Sequence, residues 1–235
     1  MIIDKVLIES KIDYPGKYGP IFFTRGCNFK CGFCYNSESS DLGEEDLERL
    51  FKDLEIKARR GWYNGACISG GEPTIHPDLP EFIMRLRKIG VAVKLDTNGS
   101  NPEMLKDLLG RKIVDYVAMD VKCPKGLYGN VTGNELDVSE SMKLVTGFPD
   151  YEFRTTIAPI PRDNGLSFMS VEEVGEIAKW ISEVNEDSKY YIQKFIPVKG
   201  RLLDKRLEEF PETDKKLLEE MKNGASKYLT RVYLR

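Results

Sequence analysis

The chain has 235 residues, 41% of them hydrophobic and 31% charged, which suits one α/β unit with its own core and excludes disordered and collagen-like classes. The formal net charge of −3 offers no basic excess that would recommend nucleic acid as a partner. Asp4 and Glu9 interrupt the apolar N-terminus, and no apolar run approaches the ~20 residues of a membrane span, so a soluble, cytoplasmic protein without membrane association is expected. In chain order, a strand at 20–24 leads to a helix at 44–60, whose Leu47, Leu50, Phe51 and Leu54 recur at spacings of three and four. A strand at 66–69 leads to a helix at 79–89, with Phe82, Ile83, Leu86 and Ile89 on one face. A strand at 92–96 precedes a helix at 102–109, opened by Asn101 as its cap and Pro102 at its first position. A strand at 116–121, a short helix at 139–145 and a strand at 152–158 follow. A helix at 170–183 carries Ser170 and Glu173 at capping-box spacing. A strand at 190–196, a helix at 213–223 stopped by Gly224, and a strand at 230–234 complete the order.

Several of these strands are nearly continuous apolar runs, as strands covered on both faces are. Strand and helix alternate about six times, which predicts an α/β fold with a parallel sheet. The length suits an incomplete (β/α)6-type TIM barrel better than a closed eight-stranded one of about 250 residues, with a doubly wound open sheet as the rival. No linker or repeat divides the chain, so one domain over 1–235 is expected, with a core at about 18–198 and an extension at 199–235.

Five cysteines are present, and three of them crowd into Gly26-Cys27-Asn28-Phe29-Lys30-Cys31-Gly32-Phe33-Cys34. A disulfide framework spreads even numbers of cysteines through a short secreted chain; a tight trio points to metal. Thiolates are soft ligands that suit iron–sulfur clusters or zinc. Three protein ligands on a four-iron cluster leave one corner free for another molecule. Structural zinc would need a fourth ligand, and the one histidine, His76, could supply it, so both metals stay open on the residues alone. Cys67 reads as a buried small hydrophobe, and Cys123 has no assigned role.

Three further segments fall at the ends of successive strands, Ser69-Gly70-Gly71-Glu72-Pro73, Asp96-Thr97-Asn98-Gly99 and Asp120-Val121-Lys122, and Arg154 lies within the next strand. Paired glycines let backbone approach a ligand closely. Asp120 and Lys122 share one side of a strand, as an ion pair or as ligand-binding groups. An apolar strand accommodates Arg154 either in an internal salt bridge or against a carboxylate ligand. Gln193, with Phe195 and Pro197, lies on the sixth strand of the alternation. The strand ends of an α/β barrel are where active sites collect.

Cys27-x3-Cys31-x2-Cys34, with Phe33 before the last cysteine, resembles the signature of the radical S-adenosylmethionine (radical SAM) superfamily, and the later segments follow in the family's order. The resemblance implies a [4Fe–4S] cluster on Cys27, Cys31 and Cys34 that reductively cleaves S-adenosylmethionine to methionine and a 5′-deoxyadenosyl radical, which abstracts hydrogen from a substrate. It implies that Phe33 packs on the adenine and that Gly70, Gly71, Glu72 and Pro73 bind the methionine amino group. It further implies that Lys122 meets the methionine carboxylate, as would Arg154, that Asp96, Thr97, Asn98 and Asp120 surround it, and that Gln193 is a candidate for the adenine or ribose. It allows a monovalent cation held by Asp96, Thr97 and Asp120. Ile12-Asp13-Tyr14-Pro15-Gly16-Lys17 resembles the segment before the cluster in anaerobic ribonucleoside-triphosphate reductase activating proteins, over a likeness running from about Ile12 to Pro197. Tyr35 departs from the histidine that many members carry there. The implied function is generation of a glycyl radical on a partner enzyme, the anaerobic reductase foremost, with a flavodoxin- or ferredoxin-type electron donor. Two alternatives are a radical enzyme acting on a nucleoside or deazapurine, with a pocket closed by 200–235, and a zinc-binding adaptor without enzymatic activity.

Overall fold

A computed structural model describes residues 1–35 and 42–235. Strand β1 (Ile3–Ser10) pairs antiparallel with β2 (Gly19–Thr24). Helix α1 (Glu44–Arg59), β3 (Gly65–Gly70), α2 (Leu79–Ile89), β4 (Ala92–Thr97), α3 (Pro102–Arg111) and β5 (Tyr116–Asp120) then alternate. Two short helices, α4 (Tyr128–Thr132) and α5 (Ser139–Val145), precede β6 (Tyr151–Ile157). A small hairpin of β7 (Ile160–Arg162) and β8 (Gly165–Ser167) leads into α6 (Val171–Ser182) and β9 (Lys189–Lys194). Helix α7 (Lys215–Ala225) and β10 (Arg231–Leu234) follow.

Among the described residues the main sheet has eight strands in the order β1-β2-β3-β4-β5-β6-β9-β10, parallel throughout apart from β1. The α/β expectation holds, with the alternation intact from β2 to β10. The strand interiors divide by parity. Phe22, Ile68, Leu95, Met119 and Phe153 are fully buried in the main apolar core. The residues between them, Ser69, Asp96, Asp120, Arg154 and Thr156, face a cavity instead.

Sequence reading missed β1, the β7–β8 hairpin and α4. In β1 both Leu7 and Ile8 are exposed, so no period of two marks the strand. The expected stop at Gly224 is corrected: α7 runs through it to Ala225. A Cβ on Gly224 would lie 2.9 Å from Val171 Cγ1, so the glycine serves the close approach of α7 to α6. The expected box at α6 is present, with Ser170 accepting from Glu173 N and the Glu173 carboxylate accepting from Ser170 N.

Tyr14 packs beside Tyr116 at a ring separation of 5.7 Å, with Ala118. This contact lies below the cavity, since Tyr116 begins β5 and Asp120, at the other end of β5, lines it.

Candidate active site

The cysteine loop leaves β2 through Gly26, whose φ is +80°. Three distant segments hold it. Glu72 N donates to Gly26 O at 2.8 Å. Lys30 N donates to Thr132 O at 2.7 Å, and Asn134 Nδ2 to Asn28 O at 2.8 Å. Asp204 N donates to Gly32 O at 2.9 Å, and Leu203 N to Cys34 O at 3.2 Å. The loop after β3 locks against the cysteine loop because glycine stands at 70 and 71. A Cβ on Gly71 would sit 1.8 Å from Gly26 O, and Gly70, at φ +114°, would strike Thr24 N at 2.2 Å.

Cys27, Cys31 and Cys34 line one cavity of about 390 Å³, with Phe33, Gly70, Gly71, Glu72, Asp96, Thr97, Asn98, Asp120, Lys122 and Arg154. Sequence reading named all of these. It also named Pro73 and Gln193, which do not line the cavity. Gln193 instead faces Thr156, whose Oγ1 is 3.5 Å from its Oε1, and Thr156 reaches the cavity. Cys27 is the exposed member of the trio and Cys31 the buried one. Phe29 N–H points at Cys27 Sγ at 3.3 Å, and Asn98 Nδ2 at 3.7 Å. Burial pushes the Cys31 thiol up to about 11, against the pull of the Lys122 ammonium. A bound metal deprotonates such a thiol outright.

Among the described residues, no three His, Cys, Asp or Glu converge at the spacing of a single ion. His76 Nε2 is bonded to Arg25 O at 2.8 Å and lies outside the cavity lining. The donor set is three soft sulfurs of one loop lining one cavity, which fits a sulfur-held cluster better than tetrahedral zinc.

Glu72 is 1% exposed, and its carboxylate accepts from Thr74 N (3.0 Å), Thr74 Oγ1 (2.5 Å), Thr97 Oγ1 (2.7 Å) and Asn98 N (2.6 Å). Burial raises its pKa, against these donors. With both oxygens so engaged, the carboxylate ties the loops after β3 and β4 together.

A row of charges crosses the cavity floor. Register places Asp120 opposite Arg154. Arg154 Nε donates to Asp120 Oδ1 at 2.8 Å, and its Nη1 lies 3.5 Å from Asp96 Oδ1. Lys122 Nζ donates to Asp120 Oδ2 at 2.9 Å. Burial alone would raise Asp120, but Arg154 and Lys122 outweigh it and hold the carboxyl well below its ordinary range. Asp96 is lowered likewise, with Arg154 and Lys94 opposing burial. Of the two readings that the residues left for Arg154, the salt bridge is formed. Lys94, on the same side of β4 as Asp96, was missed; its period-two relation to Asp96 was the available signal. Cys67 is buried near it, and Cys123 is buried in the core.

Residues 21–165 match the family model of the radical SAM superfamily. The chain belongs to the radical SAM superfamily. A protein of Methanocaldococcus jannaschii named "Putative glycyl-radical enzyme activating enzyme MJ1227" is 31% identical over 245 residues, covering 100% of this chain and 95% of its own. A Sulfolobus acidocaldarius protein named "Probable GTP 3',8-cyclase" is 36% identical over 183 residues, covering 74% of this chain and 54% of its own. The crystal structure of Streptococcus suis SuiB bound to precursor peptide SuiA superposes with a TM-score of 0.68 at 16% identity, over 92% of this chain and 48% of that one, a likeness of fold. This radical SAM chain contains no helix, among the described residues, long and apolar enough to cross a membrane.

Proposed function

We propose that this chain is a glycyl-radical enzyme activase whose partner is an anaerobic ribonucleoside-triphosphate reductase. The observation that carries the reading is that three thiols of one loop line a cavity that no described residue after Thr156 lines. A pocket closed by 200–235 would suit a small substrate; a cavity that this segment does not line suits a polypeptide loop. The M. jannaschii relative, similar over the full chain, supports the activase part of this reading. So do Tyr35, Ile196 and Leu203, exposed apolar side chains beside the cysteine loop, with Tyr35 hydroxyl donating to Ile196 O.

In this reading Cys27, Cys31 and Cys34 hold a [4Fe–4S] cluster. With S-adenosylmethionine bound, the cluster supplies one-electron cleavage of a carbon–sulfur bond, after reduction by a flavodoxin- or ferredoxin-type protein. The chain's own groups bind and orient. Phe29 N–H and Asn98 Nδ2 point at the Cys27 sulfur, a contact type that tunes cluster potential. Phe33 presents a face for the adenine, with Lys122 Nζ 5.9 Å from its ring centre. Gly70 and Gly71 bring backbone to the cavity edge for the methionine ammonium. Lys122 and Arg154 present positive charge to the methionine carboxylate. Residues 1–235 act as one domain, with 199–235 bracing the cysteine loop through Leu203 and Asp204. The setting is cytoplasmic.

Mixing the anaerobically reconstituted, reduced protein with the reductase and S-adenosylmethionine is expected to give a glycyl radical doublet in electron paramagnetic resonance. The Cys31→Ala chain should give none and should lose most of its iron and sulfide. Absence of a doublet with every glycyl radical enzyme tried, while S-adenosylmethionine is still cleaved, would reject the activase reading. The cyclase likeness favours a nucleotide substrate as the second reading, and turnover of guanosine triphosphate under the same conditions would establish it.

A further inference from the structure

We infer that Lys94 and Arg154 supply, from within the chain, the positive charge that a monovalent cation would bring between Asp96 and Asp120, and that Lys94 is a positioning residue for the cavity floor. Lys94 is 1% exposed in the middle of β4. Its ammonium is paired with Asp96 Oδ1 and lies 3.9 Å from Cys67 Sγ.

The carboxylate oxygens leave little for a metal ion. Asp96 Oδ1 takes Lys94 and Arg154, and its Oδ2 accepts from Ser69 Oγ at 2.9 Å. Asp120 Oδ1 takes Arg154 at 2.8 Å, and its Oδ2 takes Lys122 at 2.9 Å. Thr97, the third residue expected at such a site, donates its hydroxyl to Glu72 and accepts from Gly99 N at 3.1 Å. Charge argues the same way. Among the chain's own groups Lys94, Arg154 and Lys122 already outnumber the two carboxylates, and a further cation there would meet net repulsion in a partly dry site. The row Lys94–Asp96–Arg154–Asp120–Lys122 alternates in sign along its length, so each group fixes its neighbours. Lys94, the innermost, holds Asp96 where Arg154 can span both acids. Sodium or potassium therefore does not fit among these residues.

The positional part of this inference stands on the chain alone; its bearing on S-adenosylmethionine rests on the function proposed above. The test uses the full chain without its cluster. Melting temperatures in potassium, sodium and choline chloride at equal ionic strength are expected to coincide, and thallium NMR is expected to give no bound signal. A saturable rise with potassium or sodium over choline would overturn the inference. Lys94→Met should lower the melting temperature in choline chloride and recover part of the loss in potassium chloride, while Lys94→Arg should remain insensitive to the salt. Should Lys94→Met fail to fold, the wild-type salt series and Lys94→Arg still decide: salt sensitivity in either overturns the inference. A Lys94→Met chain that folds and responds equally to all three salts also overturns it. In the reconstituted protein, Lys94→Met should lose affinity for S-adenosylmethionine in choline and regain part of it in potassium. Failure of the wild type to bind S-adenosylmethionine would count against the proposed function and leave the salt result standing.

Discussion

Asp96 and Asp120 are acids that the fold needs ionised. Their pKa values lie below the ordinary 3.8, since Arg154 with Lys94 or Lys122 outweighs burial. An acid depressed in the folded state stabilises the fold above its unfolded value, and this contribution is lost as pH falls through the folded value. Unfolding free energy should therefore decline as pH drops below 3.8, the ordinary aspartate value. Asp120→Asn should be less stable at neutral pH and should show a shallower decline, measured by urea titration across the acid range. An Asp120→Asn profile as steep as the wild type would show that the row contributes nothing to acid sensitivity. At this scale the sequence was legible where chemistry is local: cysteine spacing identifies the trio without a structure. It was less legible at Lys94, where the same-face relation to Asp96 on β4 was there to read but the burial of the ammonium was not, and where a side chain turns to a neighbouring strand, as Gln193 does toward Thr156. Glu72 lies between these cases. Its position was predicted, but its four hydrogen bonds depend on loops that only the folded sheet brings together.

The loops after β2 and β3 form one interlocked unit, and the interlock is sensitive to a single carbon atom. Gly71→Ala would force a Cβ to within 1.8 Å of Gly26 O, a backbone atom that cannot rotate away. The two loops must separate, breaking the Glu72 N to Gly26 O bond. We expect this variant to lose iron on anaerobic gel filtration and to melt lower; retention of full iron at wild-type stability would reject the interlock. Element positions were largely legible because β2, β3 and β5 are apolar runs and α2 repeats at three and four. Strand β1 escaped because its pairing with β2 leaves much of it exposed. Gly224 misled because a glycine chosen for a close helix contact has the same letter as one that stops a helix.

Across the whole molecule, chemistry and closure occupy opposite ends of the sheet. The cavity gathers at the ends of β2 to β6, while Tyr14 packs at the beginning of β5. The segment 12–17 thus has a packing role away from the cavity. Tyr14→Ala should cost about 3 kcal/mol, as large-to-small changes at buried aromatics do, measured by denaturant unfolding. S-adenosylmethionine cleavage below the melting transition should be unchanged in this variant. A comparable loss of cleavage would mean that the two ends are coupled. Parallel pairing followed from alternation, since parallel strands need crossovers and the helices supply them, but the sequential strand order did not, because a doubly wound sheet alternates in the same way. How residues 203–204 reach the cysteine loop did not follow, because sequence separation carries no record of the contact.

That last contact orders events in time. The sulfur-bearing turn leaves the ribosome early, yet the backbone groups of Leu203 and Asp204 that complete its seat come much later in translation. At about 5–20 residues per second, the interval is on the order of ten seconds. During it, a nascent chain displays its cysteine thiols without the frame that sets their spacing. On the function proposed above, inserting the inorganic centre would be a task for the finished polypeptide, and stripping that centre should loosen the late segment as much as the early one.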